Sequence, residues 1–239
     1  MIALKMNQNQ VLPNCDQLAG CFSKSFKHLN SEHMNLLFWE EECELLKRGR
    51  VIYAEGDSAR GCYFVYSGVL KVFKTGLEGK EQIIRFAKSG DIIGFRSVLS
   101  QEPACTSSKV IEDAVVCFIP SHTLTQLLEK NPAFSIELIK ITCKELGDAN
   151  SYITDIAQKS VRERLAEVLM HLMETFGLAQ DDTLQISLTR EELANIVGTA
   201  TESVIRLLSE FKNDGLIEIK GRKIKIVDVR ALKKVGGVY

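Results

Sequence analysis

The 239-residue sequence predicts an α+β chain in which a glycine-rich β domain precedes a helical C-terminal region. Three observations support this prediction. Between residues 45 and 120, glycines separate short runs of β-branched and aromatic residues, as in a barrel or sandwich. From Pro132 onward there is no further proline, and apolar residues recur at helical spacing. Residues 189–225 follow the order helix, glycine turn, helix and hairpin.

The β domain is expected to contain several short strands. Four runs have strand-like composition: residues 63–66, 69–73, 83–86 and 115–119. Residues 75–80 are expected to form a hairpin loop, because two glycines lie within six residues. The segment from Phe22 to Arg48 is expected to be mostly helical and to precede the barrel.

A long helix is expected after the β domain. Asn131 is suited to cap it and Pro132 to occupy its first turn. A helix of about 25 residues, ending near Gln158, would be ~38 Å long, which exceeds what one small β domain can bury. The pattern therefore predicts a dimerisation helix, and the alternative is a helix packed only on its own β domain. The expected seam residues are Leu138, Thr142, Leu146, Ala149, Ile153 and Ile156.

The C-terminal region begins with an amphipathic helix predicted over Ser160 to Phe176. Thr189 and Glu192 then form a capping box at the start of the next helix, and Gly198 ends that helix in a left-handed turn. A second helix is predicted from Thr199 or Ala200 to Lys212. Its expected buried stripe consists of Val204, Leu207, Leu208 and Phe211.

Two short alternating strands follow, joined at a basic tip by Lys220-Gly221-Arg222. Together these elements predict a winged helix-turn-helix, which places its second helix in the major groove of double-stranded DNA. The alternative is an ordinary helical hairpin with solvated charges.

Specific DNA contacts can be predicted from positions on the second helix. Glu202 and Arg206 lie four residues apart, and their side chains suit cytosine N4 and guanine O6 and N7. Thr201 is expected to influence the neighbouring base pair. The expected phosphate contacts are Thr189, Arg190, Arg222 and Lys223. The alternative is that Glu202 and Arg206 only form an i,i+4 surface pair.

Composition limits the other functions. The net charge is −1, and residues 159–239 hold 13 basic and 12 acidic side chains, so DNA affinity must come from local placement of cations. There is no apolar run of ~20 residues and no signal-peptide pattern at the N-terminus, so we expect a cytoplasmic protein without membrane contact and with seven reduced cysteines. Catalytic motifs such as phosphate loops and nucleophile elbows are missing, so we expect no enzyme.

Five motifs resemble the Crp/Fnr family of bacterial transcription regulators. They are Glu55-Gly56-Asp57, the segments 63–68 and 90–94, Asn131-Pro132, and the segment 189–194. The resemblance implies an N-terminal β-roll sensor domain, similar to a double-stranded jelly roll, before the dimerisation helix and the winged helix-turn-helix. It also implies a homodimer that binds an inverted-repeat DNA site, through Glu202 and Arg206 at a TGA core, and that contacts RNA polymerase. The corresponding divisions are 1–22 (arm), 23–130 (β-roll), 131–158 (dimerisation helix) and 159–239 (DNA-binding domain).

The resemblance also indicates which signal is not used. Family members that bind cyclic AMP have a glutamate after the glycine that corresponds to Gly94, and an Arg-Ser pair about ten residues later. Here Phe95 follows that glycine, and the later positions are Cys105-Thr106. Arg96 would point away if the segment were extended. We therefore expect no control by cyclic AMP.

A second branch of the family holds an iron–sulfur cluster with four cysteines. Cys15, Cys21 and Cys117 match three of these positions, whereas Leu12 occupies the first. Asp16 could replace that ligand, but we favour a buried, structural Cys117 and expect no metal site. Cluster or thiol sensing and a regulatory module that binds cyclic nucleotides stay open as alternatives. The sequence leaves any cofactor or small-molecule effector, and the sign of regulation, undetermined.

Overall fold

The computed structural model describes residues 12–13, 17–18, 20–21 and 43–237. Residues 22–42 of the helix predicted from Phe22 to Arg48 therefore lie outside the described residues. Its predicted end is wrong, because Cys43–Leu46 forms strand β1 instead. This segment pairs antiparallel with a later strand, so tertiary hydrogen bonding overrides its local helical pattern.

The N-terminal domain is built from six strands in one antiparallel sheet. They are β1 (Cys43–Leu46), β2 (Val51–Tyr53), β3 (Gly61–Thr75), β4 (Glu81–Lys88), β5 (Ile92–Ile93) and β6 (Ser107–Pro120). The order is β1-β6-β3-β4, with β2 also paired to β6 and β5 to β3. All four predicted strand runs lie within these elements, and the expected loop at residues 75–80 joins β3 to β4.

The long β3–β6 ladder contains a bend at Gly68. The register shifts on both sides of Ser67, and Gly68 has a φ of 85°. A Cβ atom at this position would lie 2.4 Å from the Asp113 carbonyl oxygen, so only glycine fits. The bend lets one pair of strands curve around the core of the domain.

Two short helices complete the β domain. Helix α1 (Phe95–Ser100) follows β5, and helix α2 (Ser121–Lys130) follows β6. Because Phe95 begins a helix, the extended segment assumed for Arg96 is not present. One core cluster packs these helices on the sheet and contains Cys62, Phe64, Ile92, Phe95, Ile119, Leu124, Leu127, Phe134 and Leu138.

The long predicted helix is present as α3 (Pro132–Gln158). The Asn131 side-chain oxygen accepts the Phe134 backbone N–H at 3.0 Å, as expected for a helix cap. Phe134 and Leu138 are buried in the core of the β domain. The predicted place of Leu138 on a dimer seam is therefore wrong, because this side chain faces the sheet of its own chain.

The predicted C-terminal elements are present with their bounds within about two residues. They are α4 (Val161–Phe176), α5 (Arg190–Val197), α6 (Thr201–Asn213), β7 (Ile217–Lys220) and β8 (Lys223–Ile226). A further helix, α7 (Val229–Val235), was not predicted. Capping boxes open α4 at Ser160 and α5 at Thr189. The four residues predicted to form the buried stripe of α6 are all buried.

The chain divides into two compact units. One contains residues 43–75 and 84–145, and the other contains residues 76–83 and 146–237. The tip of the β3–β4 hairpin therefore belongs to the same unit as the helix-turn-helix.

Gly198 offers a test of how the turn between α5 and α6 is built. It has a φ of 71°, and an added Cβ would lie 3.0 Å from Ile156 Cδ1 and from the Tyr152 hydroxyl. Gly215 has a similar φ of 73° but open space around it. Gly215→Ala should lose about 1 kcal/mol through backbone strain, and Gly198→Ala should lose roughly 1 kcal/mol more through crowding.

Urea unfolding of the two variants and the unmodified chain checks this expectation. Both substitutions share the left-handed strain, so the difference between them isolates the crowding at Ile156 and Tyr152. Equal losses of unfolding free energy in the two variants would contradict it.

Candidate nucleic-acid interface

The turn between α5 and α6 is held from outside the helix pair. The Gln82 side-chain amide donates to the carbonyl oxygens of Asn195 and Ile196, and Lys80 Nζ donates to the Thr199 carbonyl at 3.0 Å. Carbonyls in the last turn of a helix have no partner within that helix, so these donors satisfy them. Sequence reasoning missed Lys80 and Gln82, because more than 110 residues separate them from the turn.

The outer face of α6 carries the side chains predicted to meet DNA bases. Glu202 and Arg206 are exposed, Thr201 is half-buried, and 49% of Ile205 is exposed. This face is opposite the buried stripe, as amphipathic spacing requires. The exposed side chains thus form a short row that includes the first two turns of α6.

Arg206 forms an ion pair with a residue that the sequence analysis did not single out. Its Nη1 lies 2.9 Å from Glu210 Oε1, one turn further along α6. Glu210 also accepts from Arg162 Nη1 of α4 at 3.1 Å. The ion pair considered as an alternative, Glu202 with Arg206, is therefore replaced by Arg206 with Glu210. Spacing alone could have suggested it, because Glu210 is also four residues from Arg206.

Arg190 connects α5 to the wing. Its Nη2 donates to the Gly221 carbonyl at 2.9 Å, at the tip between β7 and β8. Its Nη1 is buried and has no hydrogen-bond partner in the described part of the chain. Burial lowers the pKa of this guanidinium. A half-buried cation with an unused donor next to the wing tip is suited to an anionic oxygen.

The other predicted phosphate contacts differ in exposure and in the hydrogen bonds they already form. Arg222 and Lys223 are exposed at the wing tip. The Thr189 hydroxyl accepts the Glu192 backbone N–H at 3.0 Å as the cap of α5. This use of the oxygen leaves the hydroxyl hydrogen available to donate.

Exposed residues of α3 form a regular apolar row. The exposed fractions are 53% for Ile136, 59% for Ile139, 62% for Leu146 and 66% for Ile153. Cys143 and Asn150 are also exposed and fill the gaps, so the steps alternate between three and four residues. This is the spacing of a heptad seam. Exposure of such an apolar seam to water is unfavourable.

The predicted seam overlaps with this row only in part. Leu146 and Ile153 belong to both, and Ile156 is 41% exposed. Thr142 is half-buried and donates to the Leu138 carbonyl at 2.9 Å, and Ala149 is half-buried. The sequence pattern located the helix but not which of its faces is free.

The position where relatives would hold a nucleotide is filled. Phe95 is 1% exposed, and the remaining cavity is about 20 Å³. Glu145 Oε1 lies 3.0 Å from Arg85 Nη2, and its Oε2 lies 3.5 Å from Arg96 Nε. One carboxylate thus faces both guanidinium groups, and a phosphate would have to compete with it for them. Since binding pockets usually exceed ~300 Å³, this cavity has no room for a nucleotide.

Two cysteines differ from expectation. Cys43 and Cys117 form a disulfide, with their Cα atoms 4.1 Å apart. They lie opposite each other where β1 pairs with β6, and this pairing brings their side chains together. The prediction of seven reduced thiols is therefore wrong for this pair. Burial of Cys117 is confirmed.

The cluster hypothesis depends on the same sulfur atom. Cys117 was its ligand from the β domain, and that sulfur is bonded to Cys43. Cys21 lies 3.5 Å from the Ser89 hydroxyl, whereas Cys15 lies outside the described residues. Within residues 43–237 and the few described before them, no group of three potential metal ligands is present.

These features define a class of protein: a winged-helix DNA-binding chain with a β-roll related to nucleotide-binding domains. Residues 43–131 match the model of the cyclic nucleotide-binding domain, and residues 163–235 match the Crp-like helix-turn-helix domain. The chain belongs to the Crp/Fnr family of transcription regulators. The predicted α+β fold is confirmed.

Two relatives show the extent of this similarity. Electron transport regulator A of Shewanella oneidensis is 29% identical over 194 residues, which cover 80% of this chain and 77% of that protein. The fumarate and nitrate reduction regulatory protein of Escherichia coli is 28% identical over 195 residues, with the same two shares. The structure of FixK2 from Bradyrhizobium japonicum has a TM-score of 0.72 at 23% identity, covering 82% of this chain and 97% of that one.

No helix in the described part of the chain is both long and apolar enough to cross a membrane.

The filled nucleotide position leads to a direct prediction. Cyclic AMP should give no saturable heat in titration calorimetry up to about 1 mM, because the phosphate would have to displace Glu145 from the two arginines and the remaining cavity is only about 20 Å³. The thermal midpoint should also not rise with the nucleotide, since a ligand stabilises only a state that it binds. A micromolar dissociation constant would contradict both expectations.

Proposed function

We propose that this chain is a homodimeric transcription regulator that recognises an inverted-repeat DNA site through α6 and does not respond to cyclic AMP. The observation that carries this proposal is the exposed row of Glu202 and Arg206 on a helix whose opposite face is fully buried. Arginine suits guanine O6 and N7, and glutamate suits cytosine N4. Thr201 would then influence the base pair next to them.

Phosphate contacts would orient the domain on DNA. The unused, buried Nη1 of Arg190 and the exposed Arg222 and Lys223 supply cations at the wing tip. Thr189 would donate its hydroxyl hydrogen to a phosphate oxygen. Such contacts position a protein without selecting sequence, so the specificity is assigned to α6.

The homodimer would form along α3. The apolar row Ile136, Ile139, Leu146 and Ile153 has the alternating spacing of a two-stranded seam. Asn150 occupies a position equivalent to that of Cys143 one heptad earlier. A single polar residue at such a position favours one register and a pair of helices. Ile156, Thr142 and Ala149 would lie beside the seam rather than in it.

The proposed role is regulatory rather than enzymatic, with RNA polymerase as the second macromolecular partner. The membership in a family of transcription regulators supports both statements. We propose the division 23–130, 131–158 and 159–239 into β-roll, dimerisation helix and DNA-binding domain, preceded by an arm of residues 1–22.

A small-molecule effector would bind beside the filled nucleotide position, because the neighbouring cleft shares Tyr53, Gly94 and Ser97 with it. A cleft of about 350 Å³ in the β domain has Tyr53, Tyr63 and Phe118 among its lining residues. The two tyrosine rings stack with centroids 5.9 Å apart. Tyrosine hydroxyls are protonated at neutral pH and can donate, and burial raises the pKa of both tyrosines still further. This combination suits a small planar molecule with hydrogen-bond acceptors.

Arg206 provides the main test of DNA recognition. Selection from a random DNA pool should yield an inverted repeat for the unmodified chain. Arg206→Ala should lose about 1–3 kcal/mol on that repeat and lose preference at one base pair in each half-site. Binding assays on the repeat and on single-base-pair variants measure both effects.

Arg190→Ala is the matched control, because it removes an arginine outside α6. It should weaken binding to all sequences alike, through the lost phosphate contact and the loosened wing. Selection of the same repeat with equal affinity by the Arg206→Ala protein would refute the proposed recognition.

The dimer seam can be tested with a single charge. Leu146→Glu should convert the dimer to a monomer at ~10 µM, because a buried carboxylate without a partner is strongly unfavourable. Ser151→Glu adds the same charge to an exposed position of α3 outside the apolar row and should leave the dimer intact. Light scattering gives the mass of each, and a monomeric unmodified chain would exclude the proposed dimer.

A further inference from the structure

The Glu210 carboxylate is shared between two arginines. Its Oε1 lies 2.9 Å from Arg206 Nη1, and its Oε2 lies 3.1 Å from Arg162 Nη1. Arg162 is fixed in turn, because its Nη2 lies 2.7 Å from Asp214 and its guanidinium lies 4.8 Å from the centroid of the Phe211 ring. Phe211 is completely buried.

These contacts distinguish Glu210 from an ordinary surface partner. An exposed i,i+4 ion pair is usually weak, because both side chains are free to move. Here one oxygen of the carboxylate is bound by a guanidinium that lies on a core aromatic ring. The carboxylate is therefore fixed relative to α6, and it provides a fixed point for Arg206.

Arg206 itself is 69% exposed in its side chain, and within the described part of the chain its ion-pair partner is Glu210. The bond to Glu210 uses one hydrogen of Nη1. The guanidinium has five N–H groups, so enough remain for a parallel pair of bonds to guanine O6 and N7. A side chain that is held in place before binding loses less conformational freedom on binding.

We propose that Glu210 is a positioning residue that holds the Arg206 guanidinium for guanine and so sharpens the discrimination at that base pair. The inference rests on the proposed recognition of DNA by Arg206. Arg162 acts one step further back by fixing Glu210. Neither residue has to touch DNA for this role.

A competing role for Glu210 predicts the opposite sign. If the carboxylate only withheld Arg206 from DNA, its removal would increase the preference for guanine. Removal also takes away a negative charge, which should raise affinity for every DNA sequence. The informative quantity is therefore a ratio of affinities rather than one affinity.

The experiment compares two duplexes at one fixed salt concentration. The first is the inverted repeat selected by the unmodified chain, and the second has the guanine·cytosine pair that depends on Arg206 changed to adenine·thymine in both half-sites. The discrimination ratio is the dissociation constant of the second duplex divided by that of the first. It should fall about threefold to tenfold in Glu210→Gln and Glu210→Ala. Glu174→Ala removes an equal charge from an exposed position on α4 and should leave the ratio unchanged.

A double variant separates positioning from a general structural effect. Adding Glu210→Ala to Arg206→Ala should not lower the ratio any further, because the side chain to be positioned is gone. Urea midpoints monitor folding, and Glu210→Gln retains the shape and an acceptor oxygen.

An unchanged or increased ratio in both Glu210 variants would overturn the inference while leaving recognition by Arg206 intact. A further fall in the double variant would also overturn it. If Arg206→Ala itself leaves the ratio unchanged, the proposed function fails and the positioning role fails with it.

Discussion

The pairing of β3 with β6 is the constraint on which the β domain depends. These strands contain 15 and 14 residues, and their ladder extends from Gly61 opposite Pro120 to Phe73 opposite Ser107. Each of the other four strands of this domain pairs with one of them. The ladder brings Tyr63 beside Phe118, and the pairing of β1 with β6 brings Cys43 opposite Cys117. The aromatic cleft and the disulfide thus follow from the registers of two strands that pair with β6.

Features that depend on neighbouring residues could be predicted from the sequence. The capping box of Thr189 and Glu192, the left-handed turn at Gly198 and the buried stripe of α6 were all predicted correctly. Each depends on residues within one or two helical turns, so the signal lies in local spacing. The start of α3 at Pro132 was equally accessible, because proline and asparagine have fixed preferences at helix ends.

Features that depend on tertiary packing could not be predicted in this way. Leu138 and Ile139 both lie on α3, and only the sheet beneath decides which of them is buried. The residues of the disulfide are 74 positions apart, and no pattern connects them. Gln82 is recognised as a partner of α5 only once the hairpin tip is in place. Long-range contacts of this kind carry no periodic signal.

In the described part of the chain, Glu145 and Glu210 each contact two arginines. The two sites differ in how far their side chains are exposed to water. The side chains of Glu145 and Arg85 are 16% and 27% exposed, so their ion pair is shielded from water and costly to open. Arg206 is 69% exposed in its side chain, so its remaining N–H groups face solvent while Nη1 contacts Glu210. The same kind of ion pair thus closes the nucleotide position in one domain and leaves an arginine with donors available in the other.

This difference matters because residues 159–239 hold only one more basic than acidic residue, 13 against 12. Bulk electrostatic attraction to DNA is then weak, and affinity for non-specific sequences should be low. Discrimination between sites depends on the ratio of specific to non-specific affinity rather than on either alone. A domain with little excess charge therefore gains most from orienting the few cations that meet bases. A fixed carboxylate beside Arg206 provides such orientation and reduces the net positive charge at the same time.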